Sequence, residues 1–160
     1  RPAGRAARAR RAAGLLVVEA PDPGDGAALR AAIERLYVRE AKARFPAIFE
    51  ACVAGARSRG LGRELRAGAP ELRVRSMRSR WGSCNPDRRV VTLAASLAEY
   101  PPEAAEFVVC HELAHLRERR HDEAFYDLLG RLCPDWRERR RLLEGRRPGL
   151  PPPPPGGLAI

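Results

Sequence analysis

Residues 101–123 read PPEAAEFVVCHELAHLRERRHDE, and the fold turns on how this stretch is read. Pro101-Pro102-Glu103 is a helix start: the fixed φ of proline suits the first turn, and an acid there faces the positive end of the helix dipole. The apolar run from Phe107 to Leu116 predicts an element that stays helical over 102–117 and is buried along its length. Inside it, His111-Glu112-Leu113-Ala114-His115 forms an H-E-x-x-H motif. Residues four apart stand one above the other on a helix face, so two imidazoles reach one metal ion. Glu112 lies about 100° round the axis, placed to take a proton from a metal-activated water without itself being a ligand.

His121 is the third and last histidine of the chain. A catalytic zinc site uses three protein ligands and leaves the fourth position open. On an unbroken helix His121 would stand about 15 Å along the axis from His111, too far to share an ion. The chain must therefore turn between His115 and His121. Glu118 and its arginine neighbours are good helix formers, but Asp122 is a good N-cap and announces a new helix. His121 is the expected third ligand of a single Zn2+, with Glu118, Asp122 or Glu123 as carboxylate substitutes. A structural zinc site would normally be closed by a fourth Cys or His, which leaves a non-enzymatic zinc module as the weaker reading.

The length of 160 residues suits one domain with small appendages, and 44% hydrophobic content is enough to fold it. No apolar run approaches membrane-spanning length, and no secretory signal is visible, so a cytoplasmic protein is expected. Cys52, Cys84, Cys110 and Cys133 form no C-x-x-C pair and read as reduced thiols with no disulfide. The net charge is +10, and its distribution is uneven. Residues 1–80 hold 18 basic and 8 acidic side chains, whereas residues 81–160 hold 12 of each. A basic front half could meet nucleic acid, a nucleotide or an acidic surface; the plainer reading is a solvated, Arg-rich exterior.

Around the central motif the chain divides in three. Residues 1–26 form a basic segment carrying at most one strand, Gly14 to Ala20, closed by the turn Pro21-Asp22-Pro23-Gly24. Residues 27–145 form the folded unit. It opens with a helix from Ala27 to Arg44, capped by Asp25 and broken or kinked at Pro46, then a second apolar stripe up to Gly60. Residues 71–81 alternate as a strand, but Arg73 and Arg75 differ in parity from Arg78 and Arg80, which calls for a bulge near Ser76-Met77. Arg89 to Leu93 resumes as a strand and predicts a hairpin with 71–81. Asp122 and Asp135 cap two further helices, ending at Gly130 and Gly145. Residues 146–160, with five consecutive prolines, form a Pro-rich tail.

Arg80-Trp81-Gly82-Ser83-Cys84, Pro101 through Val109, His111 to His121, Phe125 and Pro134-Asp135-Trp136 together carry a resemblance. On these pieces residues 75–144 resemble the YgjP-like metallopeptidase family, relatives of the SprT-like zinc proteases. The resemblance implies zinc held by His111, His115 and His121, with Glu112 as general base. The chain departs from the family's pattern at Arg120, Tyr126 and Ala94, where Asn, Trp and Asn are usual.

The expected fold is α+β and zincin-like: helices on a small antiparallel sheet, with the H-E-x-x-H helix at the active site. The expected reaction is hydrolysis of an amide bond in a peptide or protein, with Glu112 as base. Arg80 and Tyr126 are candidates for binding substrate or the oxyanion, and a peptide could lie along a strand edge near 72–81. Trp81 and Cys84 read as packing beneath the helix. Two alternatives keep the metal and change the substrate: a nucleotide phosphoanhydride hydrolase, and a DNA-associated SprT-like protease using the basic half. No Gly-rich phosphate loop and no acidic magnesium cluster supports the first.

Overall fold

A computed structural model describes residues 6–144. The first five residues, the expected helix end at Gly145 and the Pro-rich tail lie outside the described residues. The chain opens with a hairpin of β1 (Arg8–Ala12) and β2 (Leu15–Glu19) rather than one strand. Its two-residue turn, Ala13-Gly14, has φ of 49° and 75°, the left-handed pair whose twist matches antiparallel strands. The sequence RARRA of β1 lacks apolar alternation, so nothing local announces it. It is held from outside instead: the Arg11 guanidinium donates to Glu40 at 3.0 Å and to Glu99 at 2.6 Å.

Helix α1 (Gly26–Ala56) starts where Asp25 accepts a hydrogen bond from the backbone N–H of Ala28 at 3.0 Å. It does not stop at Pro46. Ala41, Phe45, Phe49 and Val53 keep one buried face in register across the proline, while Pro46 itself is exposed. Packing along that face outweighs the local loss of one helical hydrogen bond. One π turn, Arg57–Leu61, ends the helix at Gly60, whose φ of 143° is open only to glycine.

A three-stranded sheet follows, built from β3 (Glu71–Arg75), β4 (Gly82–Asn85) and β5 (Val90–Ala94) in the order β3-β5-β4. The expected hairpin between 71–81 and 89–93 is not the one formed. β3 runs parallel to β5, and β4 is its antiparallel partner, so the sheet is mixed. The strand ends at Arg75, and 76–81 cross over as a loop. Ending there removes the parity conflict among the arginines without a bulge: Leu72 and Val74 face inward, and Arg78 and Arg80 project from the loop. The turn of the β4–β5 hairpin is set by Asn85, whose side-chain oxygen accepts from the Arg88 N–H at 2.9 Å.

Helix α2 (Pro102–Ala114) lies at the centre, against α1, β4, β5, α3 (Glu123–Leu132) and α4 (Trp136–Glu144). It is buried on every side from Phe107 to Ala114, and each of Phe107, Val108 and Leu113 contributes about 1.5–3 kcal/mol by leaving water. It closes at Ala114 rather than 117, through tight bonds from Leu116 and Arg117 to the carbonyls three residues back. Asp122 caps α3, accepting from the Phe125 N–H at 3.2 Å, and α3 runs past Gly130 to Leu132, ahead of Pro134. The architecture is α+β, as expected.

Candidate metal centre

Because α2 ends early, the eight residues 115–122 fold back, and His121 returns to the helix face it left. Its Nε2 lies 3.0 Å from His111 Nε2 and 3.1 Å from His115 Nε2. Among the described residues these three form the one group whose ligand atoms converge, all within 4.8 Å. Glu118, Asp122 and Glu123 do not join it. Glu118 contributes its backbone carbonyl instead, 2.8 Å from His115 Nδ1. A carbonyl only accepts, so Nδ1 carries the proton and the Nε2 lone pair faces the cluster.

A single ring holds the three imidazoles. Phe125, in the first turn of α3, has its centroid 4.8 Å from His111 and 4.7 Å from both His115 and His121. Burial and the neighbouring imidazoles push His111 down to about 2, and burial lowers His115 and His121 as well. All three are therefore neutral at pH 7, the form that ligates metal.

Glu112 is fully buried, and neither carboxylate oxygen has a hydrogen-bond partner among the described residues. Burial pushes its carboxyl up to about 8, against the opposing charge of Arg80. A buried polar group left unsatisfied costs about 1–3 kcal/mol, and more if charged. Three converging neutral imidazoles beside an orphaned carboxylate make a donor set that fits a divalent cation and water. Gly82 of β4 makes room for it: a Cβ there would stand 2.7 Å from Glu112 Oε1 and 2.8 Å from Val108 Cγ1. Sequence reading did not single out Gly82 for this role, because a missing side chain gives no periodic signal.

Of the two substrate-contact candidates, Arg80 is exposed in the crossover loop, with Glu112 within its field. Tyr126 is 37% exposed and stacks on Trp136 at 5.4 Å, with its ring 6.4 Å from that of His121. Cys84 is half-buried, and desolvation together with Glu112 pushes its thiol up to about 12. That is the behaviour of a packing thiol, not of a nucleophile. Trp81 is buried edge-on against Tyr100 at 5.2 Å.

A family model described as YgjP-like, metallopeptidase domain, matches residues 4–146. The chain belongs to the YgjP-like metallopeptidase family. It is thus a hydrolase of the metalloprotease class, and such enzymes work with a divalent metal. The matched YgjP-like domain takes in the β1–β2 hairpin and all of α1, well beyond the motif-bearing residues. No curated protein matches the chain. Among solved structures, a crystal structure of the metallopeptidase zymogen of Pyrococcus abyssi abylysin is similar at 19% identity and a TM-score of 0.48. The match covers 60% of this chain and 91% of that one. Among the described residues no helix is long and apolar enough to cross a membrane.

Proposed function

We propose that the chain is a zinc-dependent peptidase whose metal is held by His111, His115 and His121 and whose general base is Glu112. The observation that carries this reading is the orphaned, buried Glu112 carboxylate beside three neutral imidazoles. A set of three histidines suits zinc, whose bonds of about 2.0–2.1 Å to nitrogen give tetrahedral nitrogen–nitrogen edges of about 3.3 Å. The two separations from His121, 3.0 and 3.1 Å, are close to that, and all three ligand atoms lie within 4.8 Å of one another. When bound, the ion supplies the Lewis acidity that makes water and a peptide carbonyl reactive.

The rest is done by the chain. Phe125 and the Glu118 carbonyl hold the imidazoles in orientation. Glu112 takes the proton of the attacking water at a carboxylate oxygen and later delivers it to the leaving amine. Burial makes that carboxylate a stronger base than one in water, and the positive charge of Arg80 acts in the opposite sense, favouring the ionised form. The substrate backbone has an edge to lie on. β4 pairs with β5 on one side only, and its Gly82 sits against Glu112. β4, not 72–81, is thus the edge at the carboxylate, and an extended peptide pairs there through main-chain hydrogen bonds. Tyr126 and Arg80 flank the site and stabilise the developing oxyanion.

The test is Glu112→Gln. The variant should retain stoichiometric zinc by elemental analysis and lose casein hydrolysis by several orders of magnitude. A variant that stays active removes Glu112 from the mechanism.

A further inference from the structure

Away from the histidines, the exposed face of α1 and the start of the crossover loop enclose an open cleft of about 600 Å³. Arg35, Arg39 and Lys42 line it from α1, Ser76 closes it, and Glu34, Ala31 and Val38 complete the wall. The charge balance is three cations against one carboxylate. Elsewhere many arginines are engaged, such as Arg11 with Glu40, Arg73 with Glu71, Arg117 with Glu64 and Arg139 with Asp135. Arg35 donates to the Ala7 carbonyl at 2.9 Å. Arg39 and Lys42 have no hydrogen-bond or ion-pair partner among the described residues, and neither do Arg75 and Arg78, which flank Ser76. These side chains are all exposed and solvated, so an incoming anion meets cations with no carboxylate to displace.

We infer that this cleft is an exosite that binds an acidic segment of the polypeptide substrate. The substrate part of the inference rests on the peptidase reading above; the anion-binding part does not. Three features favour a peptide over nucleic acid. The lining has no aromatic ring on which a base could stack. It does have apolar surface at Ala31 and Val38, which suits side chains interspersed with carboxylates. Glu34 would oppose a continuous run of phosphates, whereas an acidic peptide can place a neutral residue opposite it. The distance between the cleft and the proposed substrate edge is bounded by the chain itself. Ser76 is six residues from Gly82, so the two are at most about 20 Å apart. An extended peptide rises about 3.3 Å per residue, which places the acidic segment within about six residues of the bond cut.

The decisive measurement uses the full chain, zinc-loaded, and a fluorescent hexaglutamate peptide followed by anisotropy. Wild type should bind it more tightly than a hexaglutamine peptide, with affinity falling as salt rises. Arg39→Glu with Lys42→Glu should weaken binding about tenfold, as expected for two reversed exposed charges. Arg66→Glu with Arg141→Glu, two exposed cations outside the cleft, changes the net charge equally and should weaken binding less than twofold. Melting temperature should be unchanged in both, since none of the four side chains has a hydrogen-bond or ion-pair partner among the described residues. Equal weakening in both double variants, or no preference for hexaglutamate over hexaglutamine, overturns the exosite. So does an oligothymidylate of equal charge that displaces the peptide and is itself lost with Arg39 and Lys42, an outcome that assigns the cleft to nucleic acid.

Cleavage separates the two readings. An acidic tract within about six residues of the cut should lower KM in wild type and not in the cleft variant, with kcat unchanged. A wild type that cleaves peptides with KM indifferent to the tract overturns the exosite and spares Glu112. Cleft-dependent hexaglutamate binding by an enzyme that cuts no peptide overturns the peptidase reading and leaves the anion site standing.

Discussion

The two longest helices treat their ionisable groups in opposite ways. In α2, ten of thirteen residues are buried, His111 and Glu112 among them, and burial pushes the imidazole down to about 2 and the carboxyl up to about 8. In α1, the buried residues form one stripe, and Arg35, Arg39 and Lys42 stand in water on another face. Desolvation explains the contrast. A charge in low dielectric interacts strongly with whatever is near it, while an exposed charge is screened within about 10 Å at ordinary salt. On the proposed reading, the chemistry that moves a proton sits on α2 and the quick, reversible recognition on α1.

The contrast is tested most severely at His121. Replacing it with alanine should lower zinc affinity by orders of magnitude in a chelator competition and abolish turnover. Glu118→Ala and Glu123→Ala should leave affinity nearly intact, since His115 uses the Glu118 carbonyl and not its carboxylate. If either carboxylate proves the stronger determinant, the third ligand is misassigned.

Gly82→Ala should have the next largest effect. Its Cβ would meet Glu112 Oε1 at 2.7 Å and Val108 Cγ1 at 2.8 Å in a packed interior that yields little. Moving the base by about an ångström should cost roughly 10–100-fold in kcat. Zinc affinity should hold, because the clash falls on Glu112 and Val108 and on none of the three imidazoles. Unchanged kcat would show that the carboxylate tolerates displacement, and the contrast with α1 would lose its main support.

The smallest effect is expected at a partly exposed pair. Arg117 donates to Glu64 at 2.7 Å and holds its carboxyl below the usual 4.5. A lowered carboxyl contributes stability that is complete above its unfolded value and is lost as pH falls through the lower folded value. Glu64→Gln should therefore be destabilising by about 1 kcal/mol or less near pH 7. The gap between wild type and variant in urea denaturation should close as pH falls below the ordinary carboxyl range and through the lower folded value. A gap that does not narrow with acidification would assign the pair's contribution to packing rather than charge.

Legibility from sequence followed the range of the interactions. Asp25 and Asp122 were readable as caps because a cap acts on the amide three residues ahead, inside any short window. The turn between His115 and Asp122 was inferable because a helix rises by a constant amount per residue and His121 could not otherwise return. The break expected at Pro46 fails for the complementary reason. Its local penalty is visible in sequence, but the continuous buried face that outweighs it exists only once α1 meets the core.

The amino-acid sequence by itself determined the helix that carries His111, Glu112 and His115, the caps at its neighbours, and the α+β class. These follow from periodicity and capping, which act over three or four residues. Only the tertiary structure decided that β3 runs parallel to β5, that RARRA is a strand, and that Gly82 leaves space for a carboxylate thirty residues on. β3 and Gly82 depend on partners distant in sequence, Val90–Ala94 and Glu112, and β1, although paired with the adjacent β2, is anchored by the distant Glu40 and Glu99. A strand's choice of neighbour and a glycine's empty volume are properties of what is packed against them, and no local window contains that.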